Sequence, residues 1–403
     1  MSVKGRRVLL LVPPVTYRAT DFVLAANRLE LDVVIGSNGA LPLGGNPVVR
    51  VDPIDIEASV RRVLATVGAV DAVVAVDADM LPLAARLGAV LGLAGNSPES
   101  VAAANDKATQ RRLWLAAGVA QPRFQIVPAD AVARSIGFPC VVKPVSLSAS
   151  RGVLRADDEA GLSAAVSEIR AILAEAGGAE GQAILLEEYV PGWELSIDGL
   201  LTNGTLAVTA IFDKPDTPDG PTFEETLLVT PSRLPAPTLA AATALAEQAA
   251  RALGLGRGPI HAELRIDRRP GIARPVMLEL AARSIGGLCS RSLRFLGGTS
   301  LEMLILLDAL GVAVDLGQPP GASGVLMLPV ERDGVLQAVE GQAEARAVAG
   351  ITGLSITIPL GQAVRPLPRG DRYLGFIFAE ARDADAVEAA LRCARDRLRP
   401  VIV

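Results

Sequence analysis

Three short runs without a polar side chain, VLLLV at 8–12, VVI at 33–35 and AVVAV at 72–76, restrict the fold more than any other feature. Each leads into a stretch with helical spacing: DFVLAANRLE, IEASVRRVLATVG and MLPLAARLGAVLGL. A strand that is apolar on both faces must be covered on both, and intervening helices make its connections parallel. The expectation is a compact α/β domain over residues 1–96, built on a parallel sheet. The opening MSVKGRRVLLLVPP sets basic residues before an apolar run, as a secretory leader does. Here the run is short and closed by Pro13 and Pro14, so it reads as the first strand.

A chain of 403 residues suits two or three domains rather than one core. The net charge is −5, no basic block occurs and aromatics are 3%, so a nucleic-acid-binding surface is not expected. Cys140, Cys289 and Cys393 are far apart and form no CxxC. That argues against a disulfide framework or a zinc site and for a reducing cytoplasm. No apolar run approaches the ~18 residues of a membrane span.

From Ser97, an N-cap with Pro98 after it, SPESVAAANDKATQRRLWLAAG reads as a helix. FQIV, PCVVKP, RGVLRAD and AILLEEYV are short strands, with a helix over 158–176. WELSIDGLLTNGTLAVTAIFDKP is a hairpin turning on Asn203-Gly204. A helix over 237–253 precedes two more strands, HAELRID and PVMLELAA, and SLEMLILLDALG closes this part. The joint at 312–323 is rich in Pro and Gly. After it come strands GVLMLPV, SITIPL and YLGFIFAEA and the helix ADAVEAALRCARDRL. The domains expected are 1–96, 97–312 with a smaller subdomain at about 122–192, and 313–403. The class is α/β, passing to α+β in the middle.

Glu263 and Glu279 each interrupt an apolar strand. If those strands are antiparallel neighbours, the carboxylates meet on one face and repel unless they share a proton or a metal. Oxygen ligands suit magnesium. Solvated edge carboxylates, or pairing with Arg265 or Arg283, explain them equally well. Lys143 ends a buried strand before SLSASRG, where an ammonium and backbone N–H groups can meet phosphate; a snorkelling lysine is the plain alternative. Lys107 is the other isolated lysine of this half and reads as a helix-surface lysine. Glu187 and Glu188 are adjacent and point to opposite faces of a strand, so at most one meets a given ligand; Glu194 follows on the next strand. His261, the sole histidine, leaves little material for a histidine-built metal site or a Ser-His-Asp triad, and reads as a satisfied strand histidine. Neither GxSxG nor GxxxxGK[ST] occurs.

Lys107 in NDK, Lys143 in VVKP, LLEEYV, Glu263 in HAEL, and Glu279 with Arg283 in ELAAR follow one another in an order that resembles the ATP-grasp superfamily of ATP-dependent carboxylate–amine ligases. The resemblance covers about 97–310, and the first domain looks like the one that precedes an ATP-grasp domain. FEETLLVTPSRLP, AARSIGG and the tail YLGFIFAEARDADAVEAAL are similar to the L-amino-acid ligase branch. The resemblance implies ATP and Mg²⁺, or Mn²⁺ in its place. Lys107 and Lys143 would contact phosphates, under a loop including Ser150, Arg151 and Gly152. Glu187, Glu188, Tyr189 and Val190 would be the adenine hinge, with Glu194 on the ribose. Glu263 and Glu279 would bind the metal, and Arg283 the transferred phosphate. Glu224 and Glu225 are expected at the incoming amino group, with Gly286 and Gly287 on the substrate side.

The implied reaction forms an acyl-phosphate from a small carboxylate, then an amide with a small-molecule amine, as a homodimer in many such enzymes. Two departures stand out: Ala281 replaces the Asn that often supplies a further metal ligand, and the loop after Lys143 holds a single glycine, Gly152. The other readings are a carboxylase or purine-biosynthesis type of ATP-grasp enzyme and a non-catalytic ATP-binding regulator.

Overall fold

The computed structural model describes residues 2–39, 45–128, 136–177, 182–271, 273–313, 316–317 and 321–403. The joint expected at 312–323 lies partly outside these residues. The first domain is a parallel sheet in the order Val48–Arg50, Asp32–Ser37, Arg7–Leu11, Ala72–Ala75. Its central strands are buried through Val8 to Leu11 and Val33 to Ile35, as strands covered on both faces must be. Val48–Arg50 had no sequence signal. It is three residues long and only its middle residue is buried.

The middle of the molecule is an eight-stranded sheet: Arg274–Ala281, Arg257–Asp267, Gly192–Thr202, Thr205–Asp213, Leu227–Thr230, Ala322–Leu328, Gly375–Ala381 and Ile351–Ile356. Every neighbouring pair is antiparallel. The last three strands come from beyond residue 313, so the tail continues the sheet of the middle segment. The tail also holds Gly334–Glu340, Ala363–Val364 and Arg399–Ile402, which form a small sheet without a sequence forecast. The hairpin turn falls where expected: Asn203 and Gly204 have φ of 51° and 80°, the two left-handed residues of a type I′ turn.

Ala262, Leu264 and Ile266 pack in one core with Ala246, Ala249 and Ala250 of the helix Ala236–Ala252. The two-residue period then turns His261, Glu263 and Arg265 to the opposite face. Above that face lies an antiparallel sheet ordered Phe124–Val127, Ile184–Glu188, Cys140–Pro144, Leu154–Ala156, backed by the helix Glu159–Glu175. Among the described residues, no helix is long and apolar enough to cross a membrane.

Candidate active site

Glu263 and Glu279 are direct partners across the antiparallel pair of their strands, as the sequence suggested. Lys107 Nζ lies 3.1 Å from Glu279 Oε1 and donates to the Leu147 carbonyl at 2.6 Å. It gets there because the single helix expected from Ser97 is two. Asp106 has φ −121° and ψ 110°, and its carboxylate caps Thr109 N, so Pro98–Asn105 ends and Lys107–Ala116 begins. A capping aspartate stops one helix and starts the next. The second helix is stitched to Arg274–Ala281: Gln110 bonds both N and O of Leu280, and Arg111 donates to Leu278 O. Lys107 and Arg111, four residues apart, share the inward helix face.

Beside Glu263 sits Lys214, which sequence reasoning passed over. Its Nζ is 2.8 Å from Glu194 and 3.6 Å from Glu263, and it also bonds Glu225. Burial opposes this ammonium's charge, but the three carboxylates overcome that and hold its pKa well above the ordinary value. Glu225 shows the reverse balance. Burial raises its pKa, and Lys214 lowers it only in part against the nearby Glu263. Burial would also raise Glu263, yet Lys214, His261 and Arg283 together hold it well below the usual carboxylate range. Glu194, expected on a ribose, is gripped by Lys214 and by Arg265 Nε at 2.8 Å.

His261 is linked rather than isolated. Nδ1 is 3.0 Å from Asp198 Oδ2 and Nε2 is 3.4 Å from Glu263 Oε1. Burial would lower its pKa, but Asp198 and Glu263 raise it to about 9. Asp198 also accepts from Ile285 N at 2.7 Å, which ties the dyad to the loop after Arg283. His261 stands across the strand pair from Ala281.

In the covering subdomain, Lys143 Nζ is 2.8 Å from Glu187 Oε2, and Arg111 holds the other oxygen. Glu187 is buried, so the carboxylate predicted at the hinge serves an internal ion network. Burial lowers the Lys143 pKa, and Glu187 raises it in part. Glu188 is bonded by Arg123 Nε at 2.8 Å. The hinge backbone is also engaged: Glu188 N donates to Arg123 O, Tyr189 N to Pro139 O, and Val190 O accepts from Arg265. In the loop after Lys143, Ala149 and Ser150 both have positive φ, 56° and 55°. Gly152 N donates to Pro368 O of the C-terminal lobe at 3.0 Å, which closes the loop against that lobe.

Arg283 donates to the Ser284 carbonyl at 2.9 Å and is near enough to Glu263 to depress its pKa. Gly287 has φ 59°, and a Cβ there would lie 2.8 Å from the Phe376 ring, so only glycine fits. Gly286 is less crowded; a Cβ would meet Arg283 Nη1 at 3.7 Å. Glu224, next to Glu225, lines a small recess with Ala149, Arg372 and Tyr373. Burial and then Glu331 raise its pKa to about 7.

The donor set suits a hard divalent cation. Glu194, Glu225 and Glu263 can bring one oxygen each within 4.8 Å of the others, and Glu279 stands opposite Glu263. At present Lys107 and Lys214 neutralise these carboxylates. Arg111 Nη1 and Arg151 Nε are buried without hydrogen-bond partners, in the helix and loop that flank Lys143.

A family model described as ATP-grasp domain matches residues 136–292, and one described as L-amino acid ligase C-terminal domain 2 matches 326–403. D-alanine–D-alanine ligase of Aromatoleum aromaticum is 31% identical over 231 residues, 53% of this chain and 69% of that protein. An uncharacterized protein of Sinorhizobium fredii is 24% identical over 96% of this chain and 82% of its own length. The crystal structure of L-amino acid ligase from Bacillus licheniformis superposes with a TM-score of 0.85 and 26% identity, covering 99% of this chain and 100% of that one.

Proposed function

We propose, for a chain that belongs to the ATP-grasp family of ATP-dependent carboxylate–amine ligases, that it joins an amino-acid carboxylate to an amine and releases ADP and phosphate. The observation that carries this reading is the cross-strand pair Glu263 and Glu279, with Lys107 on one carboxylate and Arg283 beside the other. A carboxylate oxygen of the first substrate attacks the γ-phosphorus of ATP, and the bond to ADP breaks. The amine nitrogen then attacks the acyl carbon of the acyl-phosphate. The C–N bond forms, the C–O bond to phosphate breaks, and the amine loses a proton. Phosphoryl transfer calls for positioning and charge neutralisation more than for a protein nucleophile.

Lys107 and Lys143 hold phosphate oxygens, and the loop with Ser150, Arg151 and Gly152 covers them and excludes water. Arg283 takes the oxygens of the transferred phosphoryl group. Glu263 and Glu279, with Glu225 and Glu194 near, would hold magnesium or manganese, whose charge would offset that of the phosphates. Glu188 to Val190 border the base, and Glu187 acts from beneath by fixing Lys143. Glu224 and Glu225, with Gly286 and Gly287, border the amine. The test is ADP and phosphate release with ATP, magnesium and amino acids, supplied singly and in pairs. Release that needs two amino acids and is lost in Glu279→Gln and Arg283→Ala supports peptide ligation. ATP binding without ADP formation for any carboxylate and amine would overturn it in favour of a nucleotide-binding regulator.

A further inference from the structure

Lys214 is deeply buried in the site, and the reaction above gives it no part. It follows the strand Thr205–Asp213, whose last residues Phe212 and Asp213 pair with Ser196 and Leu195. Its own backbone is fixed as well. Lys214 N donates to Glu194 O at 3.1 Å, and Lys214 O accepts from Thr217 Oγ1 at 3.0 Å. The residue is 2% exposed, so its ammonium cannot turn out to water unless the strand end moves.

An ammonium has three N–H donors and no acceptor. Three carboxylates stand around this one: Glu194 Oε1 at 2.8 Å, Glu225 Oε1 in a hydrogen bond, and Glu263 Oε2 at 3.6 Å. They are the same three residues that can bring one oxygen each within 4.8 Å of the others, the grouping that oxygen-seeking divalent ions use. The space that such an ion would take is therefore held by a cation that belongs to the chain. That cation stays charged, because the carboxylates outweigh the cost of its burial. A divalent ion entering here would have to displace the ammonium or lie beside it against like-charge repulsion. The other side of Glu263 differs. Glu279 faces it across the strand pair, and the Lys107 ammonium at Glu279 is shared with the Leu147 carbonyl.

We propose that Lys214 is a built-in counter-ion that takes the place of a divalent ion among Glu194, Glu225 and Glu263, and so confines metal binding to the Glu263–Glu279 pair, with one ion per chain. Confinement to that pair rests on the reading of Glu263 and Glu279 as metal ligands, and not on ligation itself.

Mn²⁺ is the probe, counted per chain by equilibrium dialysis and electron paramagnetic resonance, on the full chain with a non-hydrolysable ATP analogue. One ion is expected, and Glu279→Gln should weaken it at least about tenfold. Without nucleotide, Lys214→Met should bind Mn²⁺ at least about tenfold more tightly than the parent, and adding Glu225→Gln should abolish the gain. Lys214→Arg keeps a cation in place and should show no gain, which separates loss of charge from loss of packing. Lys214→Gln replaces Lys214→Met if the latter fails to fold, and the count in the parent decides without either. Two ions in the parent overturn the proposal and leave the metal pair standing, as does a folded Lys214→Met that binds Mn²⁺ no better than the parent. No ion, or one that survives Glu279→Gln unchanged, overturns the reading of the pair and the proposal with it.

Discussion

Two groups of ion pairs hold this molecule together, and they differ in almost every physical respect. On the floor of the site, Lys214 and Glu194 have side chains 3% and 6% exposed, and Glu187 lies equally deep between Lys143 and Arg111. Across the mouth, Arg369 reaches Glu168 at 2.6 Å and Glu175 at 2.8 Å, and Arg365 reaches Glu175, with side chains between 31% and 57% exposed. This second group joins the C-terminal lobe to the helix behind the covering sheet, beside the bond from Gly152 N to Pro368 O. Charges taken out of water are costly, and removing one partner strands the others. Exposed pairs gain little, because water and salt already screen them. The buried group thus concentrates charge at the candidate site, whereas the exposed group ties the C-terminal lobe to that helix only weakly.

The largest effect should come from Lys214→Met, which leaves Glu194, Glu225 and Glu263 facing one another. Losing one member of a buried ionic group costs about 3–5 kcal/mol. Denaturation without metal should show this, and added magnesium should recover part of it, since a divalent cation can replace the ammonium among these carboxylates. A variant as stable as the parent, or indifferent to magnesium, would break the comparison at its strongest point. Glu187→Gln comes next. It keeps the shape but removes the charge shared by Lys143 and Arg111, and hydrogen bonds to charged groups are worth about 1.5–3 kcal/mol each. Weaker ATP binding should accompany it, because Lys143 loses its anchor.

Glu224 belongs to neither group and sharpens the contrast through pH. Its folded pKa of about 7 lies above the ordinary carboxylate value, so between those values the folded state holds more protons than the unfolded one. Stability should therefore fall as pH rises from the ordinary carboxylate range to about 7 and level off above it. Glu224→Gln should remove that slope in melting temperature against pH, an effect moderated by the side chain's partial exposure. The smallest effect on stability should be that of Arg369→Ala, and salt should reduce it further. Its signature is elsewhere: faster proteolysis or amide exchange of the covering subdomain, which loses its ties to the C-terminal lobe. A stability loss as great as that of Lys214→Met would show that the exposed pairs are structural after all.

The carboxylate pair was legible because it broke a pattern. An apolar strand has no local reason to hold Glu263 or Glu279, and the short RRPG link made the two strands neighbours. The partners were not legible for the opposite reason. Lys214 ends a hairpin strand in FDKP and Arg111 lies in a helix rich in charge, where a cation looks ordinary. The spacing from Lys107 to Arg111 was the one available signal, since four residues put them on one helix face. Glu187 and Glu194 stood out in the sequence, but residue type could not tell a carboxylate open to a ligand from one paired with buried cations.

By itself, the sequence determined what depends on neighbours along the chain: the covered parallel strands of the first domain, the Asn203-Gly204 turn, and the alternation that puts Glu263 on the face away from the helix Ala236–Ala252. These follow from sterics and the two-residue period, which act over a few residues. Tertiary structure alone decided that the tail strands would extend the middle sheet, that Lys107 would meet Glu279, and that Lys214 would sit among three glutamates. Such outcomes turn on pairing between strands and on which charges lose water together. Both are set by residues tens or hundreds of positions apart, and no local pattern records them.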